Sequence, residues 1–211
     1  QALDALPIAW EEGENTTVST TDIDQQLLKG IGESGEIIRQ EGDVEKGFRE
    51  SDKVIEATYQ YPFLEHAPME PMNCTAIVDK GRVEAWAPTQ YGDEAFRIAA
   101  YAAGVAPHNV KFHLTLAGGG FGRRLHNDYV SQAVQIAKQM NGTPVKLIWS
   151  REESTRRSYY PPVMAAKFKG GLDKAGQIKS WESHVCQGTS VYQPYGMSRM
   201  VHSVPHTKID Y

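Results

Sequence analysis

Apolar and polar positions alternate most regularly from Lys53 to Tyr61, where Ile55, Ala57, Tyr59 and Tyr61 fall on one side and Glu56, Thr58 and Gln60 on the other. A period of two places alternate side chains on opposite faces of a pleated strand, so the segment reads as a half-buried strand. Cys74–Asp79 and Arg82–Ala87 flank Lys80-Gly81 and read as a hairpin. The period then lengthens. Ala95, Ile98, Ala99 and Ala102 form a helical stripe over about residues 90 to 103, with Thr89 as cap, Gly104 past its end and Pro107 beyond. Val110, Phe112, Leu114 and Leu116 alternate again, predicting a strand to Ala117 that delivers the chain into Gly118-Gly119-Gly120-Phe121-Gly122-Arg123-Arg124. A second helix, about residues 127 to 141, carries Val130, Ala133, Val134 and Ala137 and ends at Gly142, before a strand over Pro144–Ser150.

The ends of the chain are less patterned. Ala2–Trp10 reads as a strand, and Thr21 with Asp24 suggests a capping box opening a helix that ends at Gly30. Gly30 to Glu50 is acidic and glycine-rich and reads as a connection, with a boundary near residue 50 between a small N-terminal region (1–50) and the main body (51–211). Ser150 with Glu153 is a second capping candidate. Met164–Lys169 and Gln177–Cys186 read as a hairpin around Asp173-Lys174-Ala175-Gly176, and the last 25 residues carry no firm pattern. The fold class is therefore α+β, with mixed sheets and two packed helices.

Composition narrows the function classes. With 211 residues, 40% hydrophobic and 23% charged, the chain is neither disordered nor too small for a core. A net charge of −4 argues against general nucleic-acid binding, and the longest uncharged apolar stretch, Ile98–Pro107 apart from its polar tyrosine, is too short to span a bilayer. The charge is uneven: residues 1–58 hold 14 acidic and 5 basic residues, whereas 59–211 hold 12 and 17, so the later part suits an anion. Cys74 and Cys186 lie far apart with no C-x-x-C, which encodes neither an iron–sulfur nor a zinc site and suggests buried thiols.

Three successive glycines after a strand expose backbone N–H groups and permit conformations closed to other residues. The loop is either a tight strand-to-helix turn or a cradle for an anion or oxo ligand. It is not a dinucleotide or P-loop fingerprint, because, counted from Gly118, the last glycine of either pattern falls on Arg123. Arg123 and Arg124 sit where a helix begins, a position that favours an accompanying anion; Arg124 is the one expected to bridge Asp128 at the surface. No H-E-x-x-H occurs, and His202 and His206 lie in proline-containing loop sequence. Gly32-Glu33-Ser34-Gly35 is no nucleophile elbow, since residue 36 is Glu. Glu65, His66 and Glu70 cluster in Pro62–Pro71, either as an acid/base pair or, the preferred reading, as a structural corner whose carboxylate accepts backbone N–H bonds.

Taken together, Phe63-Leu64-Glu65-His66-Ala67-Pro68-Met69-Glu70-Pro71-Met72-Asn73-Cys74-Thr75-Ala76, Trp86-Ala87-Pro88-Thr89-Gln90, the 118–124 loop, and Val145-Lys146-Leu147-Ile148-Trp149-Ser150-Arg151-Glu152 resemble the molybdenum hydroxylases of the xanthine oxidase and aldehyde oxidase family. Within it the similarity is to the large subunit of isoquinoline 1-oxidoreductase and to molybdopterin-binding aldehyde dehydrogenases. The resemblance covers about residues 53 to 182, and Ala2–Gly30 is similar to the end of the family's hammerhead region.

The resemblance implies the first half of a molybdopterin-binding domain. Gln90 matches the glutamine whose amide approaches the apical oxo group, and Phe121 the loop phenylalanine, whose N–H with those of Gly120 and Gly122 would face the molybdenum ligands or the pterin; Gly119 is a further cofactor-binding residue and Arg123 would reach the cofactor's phosphates. No protein side chain would ligate the metal. The expected cofactor is molybdopterin, in the cytosine dinucleotide form, with iron–sulfur clusters on a separate small subunit and the rest of the large subunit as a further partner. Purine-hydroxylating relatives carry a carboxylate where this chain has Leu125, which favours an aldehyde or N-heteroaromatic substrate. The family's general-base glutamate is expected beyond Tyr211, so the chain reads as an inactive fragment, cytoplasmic or periplasmic in a bacterium. The reading from another class is a non-catalytic scaffold derived from such a subunit.

Overall fold

The computed structural model describes residues 5–7, 9, 11–188 and 203–211. The chain divides into two compact units, residues 1–62 with 162–211, and residues 63–161. The residue-50 boundary coincides with no break in this packing.

The first unit is a five-stranded mixed sheet with α1 (Thr20–Gly30) and α2 (Val44–Arg49) on one face. Its strands are β1 (Ile37–Glu41), β2 (Lys53–Tyr61), β7 (Met164–Leu172), β8 (Ile178–Gln187) and β9 (His206–Asp210), in the order β1-β9-β8-β7-β2. β7 and β8 form the expected hairpin, and its turn is held by Asp173, whose carboxylate accepts from the N–H groups of Ala175 and Gln177. Helix α1 buries Leu27 against Val163 and Ala165, with Cys186 alongside.

The second unit positions the glycine loop. Strands β3 (Asn73–Asp79), β4 (Arg82–Ala87), β5 (Val110–Leu114) and β6 (Val145–Ile148) form a sheet in the order β5-β4-β3-β6. The β3–β4 hairpin is antiparallel. β4 and β5 run parallel, joined through α3 (Gly92–Ala103), and α4 (Asp128–Gln139) follows the loop; α5 (Arg151–Arg157) closes the unit. The two expected helices pack on each other and on the sheet through small residues: Ala95, Ala99 and Ala103 of α3, and Ala133 and Ala137 of α4, all buried. Alanines at these positions let backbones approach closely, while Met72, Tyr129 and Trp149 fill the remaining volume. Gly104 ends α3 with φ 73°, the left-handed conformation a C-cap glycine serves.

Several expectations are corrected. The strand read at Ala2–Trp10 lies largely outside the described residues, and those described within it form no strand. The capping box of α1 is Ser19 with Asp22, two residues earlier than Thr21 and Asp24. The 30–50 connection contains β1 and α2, the latter capped by Asp43. Thr89 does not cap α3; the N-cap is Tyr91, and Thr89 accepts from its N–H. β5 stops at Leu114, leaving Leu116 almost fully exposed. β9 arises where no pattern was visible, because its partners β8 and β1 are distant in sequence. β2 is an edge strand: Ile55 and Tyr59 stay about half exposed and, with Phe168 and Trp181, line an open apolar depression, since α1 and α2 pack on the opposite face.

Cys74 lies in the core and burial pushes its thiol up to about 12. Native protein should therefore leave Cys74 unalkylated by iodoacetamide at pH 8, with labelling appearing on denaturation; labelling of Cys74 under native conditions would contradict this packing. Ala133→Leu should lower stability in urea unfolding by about 1–3 kcal/mol, because α4 has no room for three more carbons.

Candidate functional site

The site is built where two strand ends meet. β4 delivers Pro88-Thr89-Gln90 and β5 delivers the loop from Gly118, and because the two strands are parallel neighbours their exits lie side by side. The Gln90 side chain spans the gap: its Oε1 accepts from the Gly122 N–H at 3.0 Å, although the two are 32 residues apart. This engages one end of the amide, and among the described residues Nε2 is a donor without a partner. The backbone is tied as well, with the Gln90 N–H donating to the Arg124 carbonyl at 3.0 Å. The resemblance assigned Gln90 and the Phe121 loop to one site, and the structure sets Gln90 against Gly120 and Gly122, on either side of Phe121.

Gly119, Phe121 and Gly122 have φ of 97°, 55° and 100°. For Phe121, a side-chain-bearing residue, this is a strained conformation of the type concentrated at functional sites. It leaves the ring 74% exposed. Among the described residues the N–H groups of Gly119, Gly120 and Phe121 have no acceptor, whereas the flanking N–H groups of Gly118 and Gly122 donate to Glu70 and Gln90. A Cβ on Gly120 would stand 2.4 Å from Gln90 Oε1, so this glycine is required by the approach of the glutamine. The result is a run of neutral backbone donors beside one amide, which suits an anionic oxygen. Among the described residues no group of three His, Cys, Asp or Glu side chains gathers as a metal site.

The bridge to Asp128 belongs to Arg123, not to Arg124 as read from sequence. Arg123, expected at the phosphates, is fully buried: its Nη2 meets both Asp128 carboxylate oxygens at 3.0 and 2.9 Å, and its guanidinium lies between Trp149 and Tyr159, 5.2 and 5.3 Å from their ring centres. Its side chain is 0% exposed, and among the described residues its buried Nε has no hydrogen-bond partner. Asp128, in the first turn of α4, also answers the helix dipole, which explains why a cation is tolerated there. Arg124 is not the surface bridge to Asp128. It is equally buried and donates to the carbonyls of Gly119 (2.7 Å), Pro88 (3.2 Å) and Glu70 (2.8 Å) and to Glu70 Oε2 (2.9 Å). Glu70 is thus the corner carboxylate expected, and Glu65 likewise serves the corner, accepting from the Ala67 N–H and Ser154.

His66 packs under the loop, near Gly122. Burial pushes its imidazole below the usual range against the pull of Glu65, and Arg123 and His126 push the same way as burial. Leu125 is 41% exposed beside the loop.

A molybdopterin cofactor-binding domain model matches residues 31–211. The chain belongs to this family. It is 27% identical over 210 residues to a membrane-bound aldehyde dehydrogenase, named for pyrroloquinoline-quinone, of Gluconacetobacter polyoxogenes, which covers 98% of this chain and 27% of that protein. It is 35% identical over 116 residues to the isoquinoline 1-oxidoreductase subunit beta of Brevundimonas diminuta, covering 54% of this chain and 14% of the relative. The quinoline 2-oxidoreductase of Pseudomonas putida 86 has the same fold over 88% of this chain and 26% of its own, at a TM-score of 0.65 and 17% identity. The chain thus spans about a quarter or less of these proteins. The family is that of the xanthine oxidase-type oxidoreductases, as the resemblance implied. No helix among the described residues is long and apolar enough to cross a membrane.

Gly120→Ala should expel the Gln90 amide from Gly122 and speed hydrogen exchange of the Gly122 N–H; unchanged exchange would show that the glutamine approach does not require a glycine at this position. For His66, folded below its unfolded pKa, the unfolded chain binds more protons in the ordinary histidine range. Stability therefore falls as pH drops from about 7 to 5, and His66→Gln should flatten that slope in chemical denaturation.

Proposed function

We propose that this chain forms the cofactor-facing first half of a molybdopterin site in a larger oxidoreductase subunit that hydroxylates an aldehyde or an N-heteroaromatic compound. The observation that carries the reading is the Gln90 amide held against the 118–122 loop by a 3.0 Å bond to Gly122, beside three N–H groups, of Gly119, Gly120 and Phe121, that have no acceptor among the described residues. Neutral, preorganised donors of this kind favour an oxygen that bears negative charge without adding a formal charge of their own. When bound, the molybdenum pterin supplies the two-electron oxidation of substrate, with water as the source of the oxygen introduced.

In this reading Gln90 donates from Nε2, and Gly119, Gly120, Phe121 and Gly122 line the cofactor with backbone. Arg123 acts from beneath through Asp128, bracing the downstream end of the loop. Leu125 presents an apolar surface where purine-hydroxylating relatives carry a carboxylate, which disfavours a polar purine. The general base lies beyond Tyr211, the cofactor is the cytosine dinucleotide form, and electrons leave to iron–sulfur clusters on a small partner subunit. Residues 1–50 continue a hammerhead-like region.

The test uses the protein produced from its complete reading frame with its partner subunit. Bound molybdenum and turnover of aldehydes or isoquinoline with an artificial acceptor are expected, while hypoxanthine should turn over poorly. Gln90→Ala should lower kcat by about 10²–10³-fold, the usual effect of removing one such donor. A metal-free protein, or one in which Gln90→Ala turns over at the wild-type rate, overturns the assignment. Residues 1–211 alone should bind no molybdenum, and stoichiometric metal in that piece would show its site to be complete.

A further inference from the structure

We propose that Glu70 is a positioning residue that aims the N–H groups of the glycine loop. The proposal rests on the cofactor reading above but stands on this chain's own geometry. Glu70 reaches the loop by two routes. Its N–H donates to the Gly118 carbonyl at 3.2 Å, and its Oε2 accepts both the Gly118 N–H at 2.8 Å and Arg124 Nη2 at 2.9 Å. Arg124 in turn donates from Nε to the Gly119 carbonyl at 2.7 Å.

A trans peptide is planar, and its C=O and N–H point in opposite directions. The chain has no cis peptide among the described residues. The Gly118 carbonyl, drawn toward the Glu70 backbone, therefore sends the Gly119 N–H away from the corner. The Gly119 carbonyl, drawn onto Arg124, sends the Gly120 N–H away in the same manner. Two of the three unpaired donors are thus aimed by what holds the carbonyls before them, and both holds pass through Glu70.

The carboxylate also decides how Arg124 sits. The guanidinium is completely buried, and Glu70 is its ion-pair partner among the described residues. The same Nη2 donates to the Glu70 carbonyl, so backbone and side chain of one residue fix the in-plane rotation of the guanidinium and hence where Nε points. Glu70 Oε1 accepts from Asn73 Nδ2 at 3.0 Å, which in turn holds the carboxylate in place. The carbonyl of Arg124 meanwhile accepts from the Gln90 N–H and Thr89 Oγ1, so a turn of Arg124 is transmitted to Gln90 as well.

The amides of Gly122 and Gln90 report on this without touching Glu70: one donates to Gln90 Oε1, the other to the Arg124 carbonyl. In the full-length protein with its partner subunit, Glu70→Ala should speed hydrogen exchange at these two amides by about tenfold or more while leaving α3 and α4 at wild-type rates. Glu70→Gln keeps an acceptor for Gly118 and Arg124 but removes the charge, and turning the Asn73 amide to match gives up its Nδ2 bond to the Pro71 carbonyl at 2.9 Å, so exchange at the two amides should fall between Glu70→Ala and wild type. Glu70→Asp keeps the charge, withdraws it by one methylene, and should loosen the two amides without loosening the helices; it also serves if Glu70→Ala does not fold. In the molybdenum-loaded protein, the Mo(V) electron paramagnetic resonance spectrum should change in Glu70→Asp and change less in Glu70→Gln. Wild-type exchange at Gly122 and Gln90 in both Glu70→Ala and Glu70→Asp, or equal acceleration across α3 and α4, overturns the proposal. If the wild-type protein carries no molybdenum, the cofactor reading fails, and the exchange data still decide the role of Glu70.

Discussion

One buried guanidinium, that of Arg124, is the point on which the second unit's loops converge. It receives carbonyls from three segments that have no other reason to meet: the proline-rich corner at Glu70, the exit of β4 at Pro88, and the glycine loop at Gly119. Desolvating a guanidinium is costly unless its N–H groups and its charge are all answered. Those demands are met here only when the three segments lie at fixed distances, so the same requirement that stabilises the arginine sets the shape of the site. The small-residue packing of α3 and α4 then supplies the rigid platform, since both loop exits are anchored to strands that these helices cover.

Much of this arrangement was legible in the chain itself, for reasons that differ by element. β2, the β3–β4 hairpin, β5 and the two helices announce themselves because their periodicity is local and strong. The pairing of Gln90 with the loop was available only through the joint resemblance of several motifs, since no local rule links residues 32 apart. Helix α2 and β1 were hidden by glycines: Gly42 and Gly47 read as turns, whereas each is needed for close approach to His206 or Ser180. β9 is invisible to periodicity because its neighbours are supplied from far along the chain.

The arginine pair shows where reading by residue type stops. Adjacent Arg123 and Arg124 after a glycine loop suggest an exposed cationic site, and charge alone cannot say that each has its own carboxylate. Asp128 was visible five residues downstream, but it was assigned to the wrong arginine. Glu70, 54 residues upstream, could be matched to Arg124 only once the corner and the loop were placed together. Both side chains are buried and are held by carboxylates and backbone carbonyls.

A surface whose donors are peptide N–H groups and a carboxamide has a property that an arginine- or histidine-lined surface lacks. None of its members titrates between strongly acidic and strongly basic conditions, so its attraction for an oxygen is the same at every pH the fold survives. It carries no net charge to be screened by salt, and it gathers no counter-ion that an incoming group must displace. The acid–base behaviour of a protein built on such a surface therefore has to be supplied by other groups, and the cradle can be retained unchanged while those groups are exchanged for different chemistry.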